Sequence, residues 1–335
     1  MSSVRSIFRC LFCLILAFAL NDFTATGLQN SGYQLPGSQL AAQEIRTPVE
    51  QTQEDGAEAT AEQAEADEPK LNFEHFLRVK YDADLDPLAM ETSVTRYIKV
   101  LENGETLFVD LIGVVHIGEQ EYYEQLNSDF EKYDALLYEL VAPEGTRIPR
   151  GGAREAGFNP LAIMQNGMKD MLDLEFQLEH IDYTKNNLVH ADMSPEEFVE
   201  SMEKNEESFL KMALKAIGQG IAMQGKSNTS DADIIMAMMS RDPALKLRRI
   251  MAVQMQDIES GMVVFNGKDG STIINHRNKK AFEILDREIE DGKRSIGVFY
   301  GAGHLPDMEQ LLMRDRGMKR AGQYWLEAWN MRDRE

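Results

Sequence analysis

Two apolar runs in this chain stop at the same kind of place. "LFVDLIGVVH" (107–116) and "SIGVFYGAGH" (295–304) each carry a glycine three residues before a closing histidine, Gly113 before His116 and Gly301 before His304. Each is followed by a segment with helical spacing; after the first, Tyr123, Leu126 and Phe130 fall on one face. An apolar run that feeds a helix reads as a strand buried on both faces, the situation of a parallel sheet covered by crossover helices. "DALLYELV" (134–141) then follows as another short buried strand. Strand, helix and strand in succession imply an α/β sheet with parallel core strands.

The remaining pattern surrounds that core. Residues 94–102, "VTRYIKVLE", alternate apolar and polar as a half-buried strand does, and Asn103-Gly104 is a hairpin signal. The region from about 155 to 262 is rich in methionine and reads as a helical insertion whose methionines pack an adaptable core. Within it, 188–191 is a candidate short strand. Ser194-Pro195-Glu196-Glu197 marks a helix start, with proline in the first turn and acids near the positive end of the helix. Residues 271–292 predict a helix stopped by Gly292, and "GQYWLEAWNM" alternates like a strand. The expected frame is one α/β domain over 71–335, its sheet elements at both ends of the sequence and a helical insertion between.

The N-terminus has a different character. Arg5 and Arg9 precede an apolar run from Cys10 to Leu20, and a small-x-small site lies at Ala25-Thr26-Gly27. This reads as a cleaved secretory signal over 1–27, with an N-terminal membrane anchor as the alternative, and predicts a secreted or periplasmic protein with no stable membrane span after cleavage. Residues 28–70 are acidic and poor in core-forming side chains, the composition of a disordered linker. Both cysteines, Cys10 and Cys13, lie in the signal, so the mature chain has no disulfide, no thiolate nucleophile and no thiolate metal site. A formal net charge of −21 disfavours nucleic-acid partners. No GxSxG elbow or phosphate-binding loop is present, which disfavours a serine hydrolase or a nucleoside triphosphatase.

Ligands of open parallel sheets bind beyond the carboxyl ends of the strands. His116 and His304 both fall there, and Glu139 falls near the end of the next strand. Two histidines and a carboxylate with an open position form a catalytic metal shell, in which the metal polarises a carbonyl and activates water. The glycines would permit close backbone approach or unusual dihedrals. Glu119 is a candidate base or second ligand, or else a carboxylate stabilising its helix. Arg277, beside His276 and Asn278, could hold a carboxylate or an oxyanion, or sit in a surface salt bridge. His190 and Asp192 are candidates to reach the same rim, while His75 and His180 have the context of surface residues.

The motifs "GVVH" (113–116), "YELV" around Glu139, "HRNKK" (276–280), "YGAGHLP" (300–306) and "WLEAW" (325–329) together resemble the TraB/GumN/TIKI group. The resemblance runs over most of 94–330. It departs at His276, a position often acidic in the group, and in "GVVH" where "GTxH" is commoner. It implies an erythromycin-esterase/ChaN-like α/β fold and, from its TIKI branch, a protease dependent on a divalent metal such as Mn, Co or Zn. Carried over, His116, His304 and Glu139 are the metal and catalytic residues, with Arg277 and Asn278 beside them and a peptide or protein as substrate. The competing expectation is a non-catalytic protein of the same fold that sequesters a peptide or haem.

Overall fold

The computed structural model describes residues 76–333, apart from 144, 147, 152–166, 168, 206–230 and 263–271. The expected signal at 1–27, the expected linker at 28–70 and His75 lie outside the described residues. Among the described residues no helix is long and apolar enough to cross a membrane.

The hairpin forms where its dipeptide predicts. Gly104 lies at φ +85°, a conformation that costs glycine nothing. There the chain reverses from β2 (Pro87–Val100) into β3 (Thr106–Val114), paired antiparallel from Val94–Ile112 to Val100–Thr106. β9 (Lys319–Asn330) pairs antiparallel with one edge of β2 over residues 89–98. The other edge of β2 is shared by β1 (Leu77–Tyr81) along its first half and β3 along its second.

From β3 onward the sheet is parallel. β3 pairs with β8 (Ser295–Gly301), β8 with β5 (Ala135–Tyr138), and β5 with β7 (Leu188–His190). The two strands of the expected strand–helix–strand unit, β3 and β5, are therefore not neighbours, because β8 lies between them. At Gly297 the neighbouring strands close in: a Cβ there would stand 2.6 Å from Leu136 Cδ1 and 3.0 Å from Ile112 Cδ1, so a side chain would have to displace those methyls.

Both faces of the parallel part are covered, as the unbroken apolar runs predict. On one face Ile112, Val114, Leu136 and Phe299 pack with Tyr122, Tyr123, Leu126 and Phe130 of α1 (Gln120–Asp129) and the turn after it. On the other, Leu111, Leu137, Val298 and Tyr300 pack with Ala281, Phe282 and Leu285 of α6 (Arg277–Glu290) and Leu305 and Met308 of α7 (Leu305–Gln310). Each fully buried Leu or Phe contributes about 1.5–3 kcal/mol of transfer free energy, so burial on both faces makes these strands the centre of the core.

The insertion is more mixed than a helical segment. β7 belongs to the main sheet, and β6 (Glu175–Phe176) pairs with β4 (Ile117–Gly118), just after the first histidine. A four-residue helix, α2 (Gln177–His180), follows β6. The helix start at Ser194 forms a reciprocal cap on α3 (Pro195–Lys204): Ser194 Oγ accepts from Glu197 N, and Glu197 Oε2 accepts from Ser194 N. α4 (Asp231–Met238) and α5 (Pro243–Met262) follow. Met202, Met251 and Met255 are buried as core residues, but Met236 and Met239 are 70% and 82% exposed. The expectation of core packing thus holds for only part of the methionine set.

Candidate functional site

The four parallel strands end on one rim, and each delivers one side chain. In sheet order these are His116 after β3, His304 after β8, Glu139 after β5 and Asp192 after β7. Arg277 comes from outside the sheet, at the start of α6. A strand's last residue must leave the sheet as the next element turns back, so a polar side chain placed there faces the crevice instead of the core.

Arg277 joins the last two strand ends. Its Nη2 donates to Glu139 Oε1 at 2.8 Å, its Nε donates to Asp192 Oδ1 at 2.9 Å, and Nη2 also donates to Asp192 Oδ2. The side chain is 0% exposed, so the surface salt bridge considered from sequence is not what forms. A buried guanidinium is strongly penalised unless its carboxylate partners are fixed. Asp192 is fixed by its own backbone, accepting from Met193 N at 2.8 Å. Tyr300 Oη donates to Ala191 O beside it. Arg277 Nη1 is buried with no hydrogen-bond partner among the described residues. An unmade bond of that kind costs about 1–3 kcal/mol.

Glu139 is held from the opposite side. Its Oε2 accepts from Gly301 N at 2.6 Å. A Cβ on Gly301 would lie 3.2 Å from that oxygen, so the second glycine serves close approach. Neither Gly113 nor Gly301 has a positive φ, so the unusual-dihedral expectation does not hold. Burial works against the charge on Glu139, but Arg277 first, then His304, His116 and the Gly301 N–H, overcome it and hold the carboxyl at about 2.

His304 is set by Asn278. The imidazole Nδ1 lies 2.7 Å from Asn278 Oδ1, while Asn278 Nδ2 donates to the His304 carbonyl at 3.1 Å and to Asp307 Oδ2 at 2.8 Å. An amide that spends its N–H groups this way presents oxygen to the ring, so Nδ1 carries the proton and Nε2 keeps its lone pair. Burial, then Arg277, pushes the ring down to about 4 against the pull of Glu139 and Asp192, so it is neutral at pH 7. Its Nε2 stands 3.5 Å from Glu139 Oε1.

His116 is half-buried and more open than this pair. Its Nδ1 lies 3.1 Å from Gln177 Oε1. The other candidates go elsewhere. Glu119 makes no side-chain cap on α1; its Oε1 accepts from Arg248 Nη1 at 2.7 Å and Asn330 N at 3.3 Å. His190 Nε2 donates to Leu140 O at 2.5 Å, which commits the ring to the backbone. His276 Nδ1 lies 2.9 Å from Ser201 Oγ.

His180, expected as an unremarkable surface residue, belongs to a second cluster. Glu175, Glu179 and His180 offer donor atoms all within 4.8 Å of one another. The rim trio His116, Glu139 and His304 does not approach that closely among itself. However, Lys169 Nζ already sits 2.5 Å from Glu175 Oε2 and 2.6 Å from Glu179 Oε2, where a cation would go.

Sequence reasoning weighted Asp192 too lightly and missed Gln177. "HAD" was the only signal for the first. Nothing local marks the second, which reaches its histidine across 61 positions. No family model, curated protein or solved structure matches this chain.

Proposed function

We propose that this chain is a divalent-metal-dependent hydrolase, above all a peptidase, secreted or periplasmic, on a ChaN-like variant of its α/β frame. The observation that carries the reading is the pair His304 Nε2 and Glu139 Oε1. Both atoms present lone pairs, so their 3.5 Å separation is not a hydrogen bond in the neutral-imidazole state. Two ligands on one tetrahedral zinc stand at about the same separation, roughly 3.4 Å for bonds near 2.1 Å. Glu139 is ionised and His304 neutral at pH 7, the protonation states a metal requires of such ligands.

His304 and Glu139 would hold the metal, and His116, whose ring nitrogens lie more than 4.8 Å from at least one of that pair, would have to close on it; the metal when bound would supply a polarised carbonyl and an activated water. The chain's own residues do the rest. Asn278 keeps the proton on Nδ1 of His304 and its lone pair on the open side. Arg277 keeps Glu139 ionised and oriented, and its unpaired Nη1 is a donor for a carboxylate or carbonyl oxygen brought to the rim. Asp192 holds Arg277 in that attitude. The resemblance to the TraB/GumN/TIKI motifs supports the same residues in the same roles.

The test is metal analysis of the purified protein with a peptide-library digest in added Mn, Co or Zn. Wild type retains metal and cleaves, and His304→Ala does neither while keeping its far-ultraviolet circular dichroism. Wild type that holds no metal and cleaves nothing turns the reading to the sequestering protein. Cleavage unaffected by chelators turns it to a metal-free hydrolase.

A further inference from the structure

Resting on that reading, we infer that Gln177 is the positioning residue of His116, doing for the first histidine what Asn278 does for the second. Two independent hold points show it. The Gln177 backbone N donates to the His116 carbonyl at 2.9 Å, and Gln177 Oε1 lies 3.1 Å from His116 Nδ1. Both come from one residue at the junction of β6 and α2, where β6 pairs with β4 directly after His116 (Ile117–Phe176, Gly118–Glu175). The small β4–β6 sheet brings the two segments into register, and Gln177 then grips backbone and ring together.

The other end of the amide meets Tyr183. Gln177 Nε2 donates to Tyr183 Oη at 2.9 Å, and both side chains are buried. With nitrogen turned to Tyr183, oxygen faces His116, so the ring carries its proton on Nδ1 and leaves Nε2 bare. The phenol is a stable partner, because burial pushes its pKa well above the ordinary tyrosine value and keeps it protonated. Each histidine of the paired motif is therefore anchored at Nδ1 by a carboxamide oxygen: Gln177 for His116, Asn278 for His304. Such outer partners orient metal-binding imidazoles, and losing one typically costs 10–100-fold in metal affinity.

The experiment reads the histidine tautomers directly. Long-range proton–nitrogen NMR on metal-free protein at pH 7.5 assigns the protonated nitrogen of each ring. The expected wild-type result is Nδ1–H for both His116 and His304. Gln177→Leu makes His116 a mixture and leaves His304 unchanged, and Gln177→Glu, which keeps the acceptor, restores Nδ1–H at His116. Titration with Co then gives a 10–100-fold weaker affinity for Gln177→Leu and recovery in Gln177→Glu. His116 protonated on Nε2 in wild type, or unchanged in Gln177→Leu, overturns the inference. If Gln177→Leu fails to fold, the wild-type tautomer and the Gln177→Glu affinity still decide it. The tautomer is read without metal, so its failure is distinct from failure of the hydrolase reading, which the metal analysis decides.

Discussion

The rim and the surface cluster hold nearly the same inventory. At the rim stand His304, Glu139, Asp192 and Arg277; on the surface stand His180, Glu175, Glu179 and Lys169, each set one histidine, two carboxylates and one cation. The surface set even packs its donor atoms more tightly. What differs is solvent and rigidity. Rim side chains are 0–8% exposed and fixed by Gly301 N, Met193 N and Asn278; the surface side chains are 22–39% exposed and mostly bond one another. In water the same charges relax and are screened, whereas buried they must be paired in one geometry. Proximity of ligand-type residues thus does not by itself bring burial or a fixed orientation.

The largest test of that contrast is Arg277→Met. It leaves Glu139 and Asp192 buried without their cation, and the expected loss is about 3–5 kcal/mol, read by urea unfolding. A loss under 1 kcal/mol would mean the rim is as solvated as the surface and the comparison collapses. Arg277→Lys keeps the charge but loses the fork, and falls between the two.

Acid sharpens the comparison next. The His304 ring, ordinarily near 6.5, takes a proton only near 4 when folded. Between those values the unfolded chain binds more protons than the folded one, so stability falls as pH drops from 6.5 to 4, by on the order of 3 kcal/mol, and then flattens for this group. Glu139, held at about 2 against an ordinary 4.5, extends the loss from pH 4.5 downward. Thermal unfolding across pH 7.5 to 4 checks this, and the His304→Gln curve should be flatter. Identical slopes in both proteins would remove His304 as the cause.

The smallest expected effect belongs to the surface. Lys169→Met should cost no more than about 1 kcal/mol and should weaken with added salt. A larger, salt-independent loss would show that cluster to be structured like the rim.

Much of the frame was legible because its causes are local. Asn103-Gly104 turns a hairpin by backbone conformation alone, Ser194 and Glu197 cap a helix within three residues, and unbroken apolar runs declare strands covered on both faces. The histidines and Glu139 could be placed on a rim for the same reason, since each ends a strand. The strand order could not. Short buried strands pair through backbone groups that every residue has, so nothing local fixes that β8 enters between β3 and β5. Methionine was misjudged in part, because one flexible apolar side chain serves core and surface alike.

The sequence by itself therefore determined an α/β chain with two strand-ending histidines and a carboxylate between them, because periodicity and turn chemistry act over a few residues. Only the tertiary structure decided that Arg277 is buried between Glu139 and Asp192, that the Asn278 and Gln177 side-chain oxygens stand at Nδ1 of the two rings, and that Glu119 and His190 bond Arg248 and the Leu140 carbonyl. Those choices depend on which distant segments exclude water from one another. Burial gives a charge or a lone pair its meaning, and burial is a property of the packed chain.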